Sequence, residues 1–131
     1  MNEYTYNELS RKIIGACIEV HKELGPGLIE SVYEECLAFE LITLGFYVER
    51  QVELPVIYKG HLLDKTFVMD IVVDELIVFE LKAVQDLIPL HHVQTMTYLR
   101  MVQMKLGLLV NFNVDFLRNG IHRKVNGNLN S

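Results

Sequence analysis

Residues 76–82 read Leu-Ile-Val-Phe-Glu-Leu-Lys, a run so apolar that it belongs in a strand buried on both faces of a sheet. Glu80 and Lys82 stand two apart within it, so the period-2 pleat turns both side chains to the same face. A charge left ionised and unpaired in such a place costs several kcal/mol. The chain must therefore pair the two charges, bind a cation with them, or hold them at a cleft.

Asp70 is the natural third member. If the turn at Asp74-Glu75 is three residues long, Asp70 falls opposite Glu80 on the same face. A two-residue turn would instead pair Asp70 with Phe79 and send Glu80 to the other face. A shared site thus requires an odd-length loop or a bulge. Two carboxylates about 5 Å apart across a strand pair repel unless a proton or a divalent cation lies between them. Oxygen ligands with positions open to water favour Mg²⁺ or Mn²⁺ over zinc. The plain alternative is an ion pair, Glu80–Lys82 or Asp70–Lys82, that ties two strands together.

The rest of the chain supplies a core for this strand. With 131 residues, half of them hydrophobic, folding should bury about two-thirds of the unfolded surface without disulfide or metal staples. One domain over residues 1–131 is expected, since no repeat, linker or low-complexity run interrupts it. No stretch approaches the ~20 apolar residues of a membrane span, and Met1 to Tyr6 is polar, so a cytoplasmic protein without membrane contact is expected.

Leu9, Ile13, Cys17, Val20 and Leu24 follow helical steps from about Tyr6 to Leu24, where Gly25-Pro26-Gly27 ends the pattern. A second helix is expected from about Ile29 to Leu44, with Tyr33, Cys36, Leu37, Glu40, Leu41 and Leu44 on or near one face. Phe46 to Tyr58 and Leu62 to Val73 read as strands around a Lys59-Gly60 turn. Pro89 opens a helix to about Met104, Leu106 to Phe112 reads as a buried strand, and Gly120 to Val125 as a polar edge strand. The order α-α-β-β-β-α-β-β describes an α/β or α+β fold with a mixed sheet.

Charge and cysteine usage narrow the function. The net charge of −5 argues against generic electrostatic clamping of nucleic acid. Residues 1–53 carry ten acids against four bases, however, whereas residues 100–131 carry five bases against Asp115 alone. Arg118, Arg123 and Lys124 are therefore the expected phosphate contacts, the alternative being a solvated edge that discourages strand pairing. Cys17 and Cys36 read as buried small hydrophobes. None of the five histidines has the spacing of a zinc hydrolase, and His21 and His91 are the two candidates to support a site. No phosphate-binding loop, dinucleotide fingerprint or nucleophile elbow is present.

Asp70 followed by Glu80-Leu81-Lys82 resembles the D…(D/E)xK signature of the PD-(D/E)xK nuclease superfamily, with Met69 at the variable position that gives the superfamily its Pro. Gln94 and Tyr98, one helical step apart, resemble the motif that follows it in the exonuclease-like branch. Gly27-Leu28-Ile29-Glu30-Ser31-Val32-Tyr33 is similar to the motif that names the GxxExxY family. His21-Lys22-Glu23-Leu24-Gly25, Tyr58-Lys59-Gly60, residues 106–112 and Gly120-Ile121-His122-Arg123 match further features, so the resemblance spans about residues 8–126.

The resemblance implies a restriction-endonuclease-like core in which Asp70 and Glu80 hold Mg²⁺ or Mn²⁺ and Lys82 is the catalytic cation. It implies Glu30 as an added acidic ligand, with Gln94 hydrogen-bonding near Lys82 or a phosphate and Tyr98 bracing the site. On the bland reading, Gln94 and Tyr98 belong to a helix packed on the sheet. Two functions follow: a metal-dependent nuclease acting on DNA or RNA, or a catalytically silent module of the same fold that binds nucleic acid or a protein partner. The mean hydropathy of +0.21 also points to a homodimer.

Overall fold

Asn2 starts the first helix earlier than apolar periodicity alone implies. Its side chain accepts the Thr5 N–H at 3.0 Å, satisfying a donor that a helix start leaves bare. In the computed structural model, which describes residues 2–130, helix α1 therefore runs Glu3–Leu24. Gly25, at φ 66°, ends it by donating its N–H to the His21 carbonyl at 2.8 Å. Helix α2 follows as Glu30–Thr43. The Tyr33 hydroxyl donates to the Gly25 carbonyl at 2.6 Å and accepts the Leu28 N–H at 3.2 Å, which fixes the loop between the two helices. Its ring stacks on Phe112 with centroids 4.9 Å apart.

The strands are β1 (Val48–Tyr58), β2 (His61–Val73), β3 (Ile77–Lys82), β4 (Leu106–Asn111) and β5 (Ile121–Val125), and helix α3 (Pro89–Val102) lies between β3 and β4. They form one sheet in the order β1-β2-β3-β4-β5. Neighbours are antiparallel except β3 and β4, which run parallel and are joined through α3. The run around Glu80 is thus the central strand, and β5 is an edge, both as expected. Lys59 and Gly60 at φ 48° and 79° turn the β1–β2 hairpin tightly. A one-turn 3-10 helix, Leu117–Gly120, precedes β5 and has no counterpart in the periodicity.

Helices α1 and α2 cover one face of the sheet, burying Ile13, Leu37, Ile71, Phe79, Leu108 and Val110 in the main core. Helix α3 covers the other, where Leu99 packs with Met69, Val72 and Val78. The architecture is α+β, consistent with the restriction-endonuclease-like core. Two expectations for α2 are corrected. Leu44 lies just past the helix end and is exposed, and Cys36 is half-buried rather than in the core. The buried face instead takes in Glu34.

Glycine matters most where β4 meets the 3-10 helix. A Cβ on Gly120 would lie 2.2 Å from the Asn111 carbonyl oxygen, so no side chain fits without moving backbone. Gly15, by contrast, is exposed on α1 with nothing near its missing Cβ. Gly120→Ala should cost about 3 kcal/mol or more in urea denaturation, and Gly15→Ala should gain about 1 kcal/mol. A Gly120→Ala variant as stable as the parent would contradict this packing.

Candidate active site

The β2–β3 loop meets the condition set by the sequence. It spans residues 74–76, three in number, between Val73 and its partner Ile77, and Asp74 and Glu75 both adopt left-handed conformations at φ 52° and 55°. The Asp74 carboxylate accepts the Tyr47 N–H at 2.8 Å and holds the loop. The ladder continues through Val72↔Val78 and ends at Ile71↔Phe79. One further rung would join Asp70 to Glu80, and there the strands part. Asp70 Oδ2 takes the Leu81 N–H at 2.8 Å, so a side chain replaces the backbone pairing where the ladder stops. On the other side of Asp70, Gln51 at φ 50° interrupts the β1–β2 ladder between Arg50↔Ile71 and Val52↔Met69. A non-glycine residue in that region costs about 1 kcal/mol, a strain that the contacts around it must hold.

Glu80 is 6% exposed, and its Oε1 has no hydrogen-bond partner. Burial, then the charge and hydrogen bonding of the adjacent Asp70, push its carboxyl up to about 9, with Lys82 partly opposing them. At neutral pH it is therefore uncharged. Lys82 is half-buried and closes no ion pair with either carboxylate; among the described residues the ion pairs are Arg50–Glu34 and Arg11–Glu8. The strand-tying ion pair is not formed.

Asp70, Glu80, Lys82, Gln94 and Tyr98 line one cleft of about 80 Å³ together with Val68, His91 and Thr95. Such a space is large enough to admit a cation and water beside it. The Tyr98 ring rests against Phe67 at 5.6 Å, and burial, then the charges of Glu80 and Asp70, raise its phenol's pKa. His91 Nδ1 accepts the Ile88 N–H at 3.2 Å, and its carbonyl accepts the Thr95 hydroxyl at 3.1 Å, fixing the first turn of α3 over the cleft. Two adjacent carboxylates, one with a bare oxygen, fit a hard divalent cation that completes its shell with water.

Asp70 also lines a larger cleft of about 430 Å³ on its other side, with Glu30, Ser31, Glu34, Gln51 and Leu81. Glu30, at the start of α2, thus shares a cleft with Asp70 but not with Glu80, and among the described residues no group of three His, Cys, Asp or Glu side chains is placed to hold a metal ion. Glu34 is the member the sequence reading missed. It accepts from Arg50 Nη2 at 3.0 Å, Arg50 Nε at 3.1 Å and Gln51 Nε2 at 2.5 Å. Its spacing of four from Glu30, on one helix face, was the available signal.

The expected basic contacts divide. Arg123 is bonded to Asn7 of α1, Arg118 lies 5.9 Å from the Phe116 ring, and Lys124 acts on His92 and His122 on the α3 side. None of the three lines the Asp70–Glu80 cleft. His21 Nε2 is held by the Val114 carbonyl at 2.7 Å and lines a separate hollow with Arg118.

Glu80 binds its proton more tightly in the folded chain than at its ordinary value of 4.5. The stability it contributes is full below pH 4.5 and is lost as pH rises through about 9. Glu80→Gln should match the parent near pH 4.5 and, without divalent metal, melt higher at pH 9, by on the order of 5 °C. Scanning calorimetry that finds the same decline with pH in both proteins would contradict the assignment.

No curated protein and no solved structure matches the chain. Among the described residues no helix is long and apolar enough to cross a membrane. The family model described as PD-(D/E)XK nuclease superfamily matches residues 7–124, taking in most of α1, all of α2, the cleft and all of β5 but its last residue. With Asp70, Glu80 and Lys82 gathered at the end of the β2–β3 ladder, the chain belongs to the PD-(D/E)XK nuclease superfamily.

Proposed function

We propose that the chain is a metal-dependent nuclease, with Asp70 and Glu80 holding Mg²⁺ or Mn²⁺ and Lys82 acting as the catalytic cation. The observation that carries this is Glu80 Oε1, buried without a partner beside Asp70 and facing a cleft with Lys82. A buried acceptor left bare costs about 1–3 kcal/mol, which a ligand would offset. When bound, the cation would polarise a phosphoryl oxygen and acidify water.

The chain's own residues supply the rest. Asp70, braced by the Leu81 N–H, and Glu80, held by β3, present two oxygens from rigid strands. Lys82 is free of an ion pair and can direct its ammonium at the attacking water or at charge building on the phosphate. Gln94 offers an amide to the substrate phosphate, and Tyr98 walls the cleft against bulk water. Glu30 lies on the open side of Asp70, where rotation toward the cation would add a ligand.

The finer kinship with GxxExxY proteins is supported by the parts those residues play. Gly27 stands at φ 100°, Glu30 opens α2 against the Asp70 cleft, and Tyr33 fastens the loop before it. The absence of a three-acid cluster among the described residues favours, as a second reading, a silent module that binds without cutting.

Two measurements separate the readings. Mn²⁺ or Mg²⁺ should raise the melting temperature, by an amount worth ~2.7 kcal/mol at a hundredfold excess over Kd, and Asp70→Asn should reduce that gain. A melting temperature indifferent to both ions favours the silent module. On single-stranded and duplex DNA and RNA with Mn²⁺, Lys82→Ala should lose on the order of 10²-fold or more in rate while binding is retained. Cleavage at the parent rate by Lys82→Ala would remove the activity from this site.

A further inference from the structure

A second polar hollow, of about 240 Å³, opens beyond the cleft, with Gln85, Asp86, His92, Asn119 and His122 around it and Asn111 at its floor. Topology places it. The parallel strands β3 and β4 end side by side, Lys82 next to Asn111, and the loops that leave them diverge to either side. Crevices outside the carboxyl ends of parallel strands are where ligands of α/β sheets bind. The floor is closed by the approach of Gly120 to the Asn111 carbonyl. The Asn111 side chain is already committed, accepting the Val84 and Asn113 N–H groups and donating to the Val84 carbonyl. Two half-buried imidazoles remain, His92 and His122, meeting edge to face with centroids 4.9 Å apart.

The hollow and the cleft lie on the same face. Glu80 pairs with Leu109 and Leu109 with His122, so the three form one row across β3, β4 and β5. Two strand spacings put the ends of that row about 10 Å apart. The consecutive residues His91 and His92 on α3 line the cleft and the hollow respectively.

Resting on the nuclease reading above, we propose that this hollow binds a phosphate of the substrate strand one or two nucleotides from the scissile one, with the N–H groups of His92 and His122 as donors. The backbone step between neighbouring phosphates is longer than the ~3.4 Å axial rise, so a separation of about 10 Å reaches the next phosphate of the strand or the one after it. The charged groups facing the pair are Lys124 from β5, His91 from α3 and Asp86 from the β3–α3 loop. Lys124 disfavours a cation there and favours an anion. Burial first, then Lys124, lower the pKa of both imidazoles, and the rings also oppose protonation of His92. Each ring is neutral above its lowered pKa and keeps one N–H to donate; an arriving phosphate would draw an additional proton onto the pair.

The test uses a short fluorescein-labelled single-stranded DNA in EDTA, read by anisotropy, with inorganic phosphate as a second probe in imidazole NMR of the parent. From about pH 8 to about pH 6 the parent should tighten about tenfold on DNA, and the His92→Gln/His122→Gln variant by less than half of that on a logarithmic scale. The variant's log-log salt slope should fall by about one. Phosphate should shift the His92 and His122 resonances and raise both apparent pKa values in the folded parent, a readout that needs no variant. Equal tightening in parent and variant, or imidazoles indifferent to phosphate, would overturn the site, even if Mn²⁺-dependent cleavage is intact. Imidazoles that respond to phosphate in a protein that cleaves nothing would uphold the site and refute the nuclease reading alone.

Discussion

The hydrogen bond from the Leu81 N–H to the Asp70 carboxylate is the contact on which the rest of the site depends. It marks where β2 stops pairing with β3, and it fixes Asp70 against the strand that carries Glu80 and Lys82. Because the pairing stops, a cleft opens on either side of Asp70, one toward α3 and one toward α2. The turn at Asp74-Glu75 sets the register that brings this about, and Asp74, the first of its two left-handed residues, is held by Tyr47.

Energetically the site opposes the fold around it. Glu80 sits in a buried central strand with a bare oxygen, and Gln51 holds a left-handed conformation beside Asp70. Sites that bind or react are where such costs are retained, since a ligand or a transition state can use what the free protein leaves unsatisfied. The surrounding structure is correspondingly firm. Tyr33 fastens the helix hairpin, Asn111 ties the loop after β3, and Gly120 lets the 3-10 helix close against β4.

Much of this was legible in the residues. Period-2 alternation put Glu80 and Lys82 on one face, and the demand that Asp70 join them required the odd loop that residues 74–76 form. The element order followed from helical steps, Pro89 and the Lys59-Gly60 turn. What escaped the reading depends on contacts distant in sequence. Glu34 is buried because Arg50 and Gln51 reach it from β1, which no local pattern encodes. Arg123 is drawn to Asn7, 116 residues away, so a basic run along one strand does not become one basic surface. Alternation itself sends Arg123 and Lys124 to opposite faces of β5.

Metal binding as proposed requires Glu80, held protonated by burial beside Asp70, to surrender its proton to the cation. Titration calorimetry of Mn²⁺ at pH 7, in buffers of different ionisation enthalpy, tests it directly by counting protons released. About one proton should be released per ion bound by the parent, with weak binding and no release by Glu80→Gln. Tight Mn²⁺ binding with no proton release, unchanged in Glu80→Gln, would contradict it.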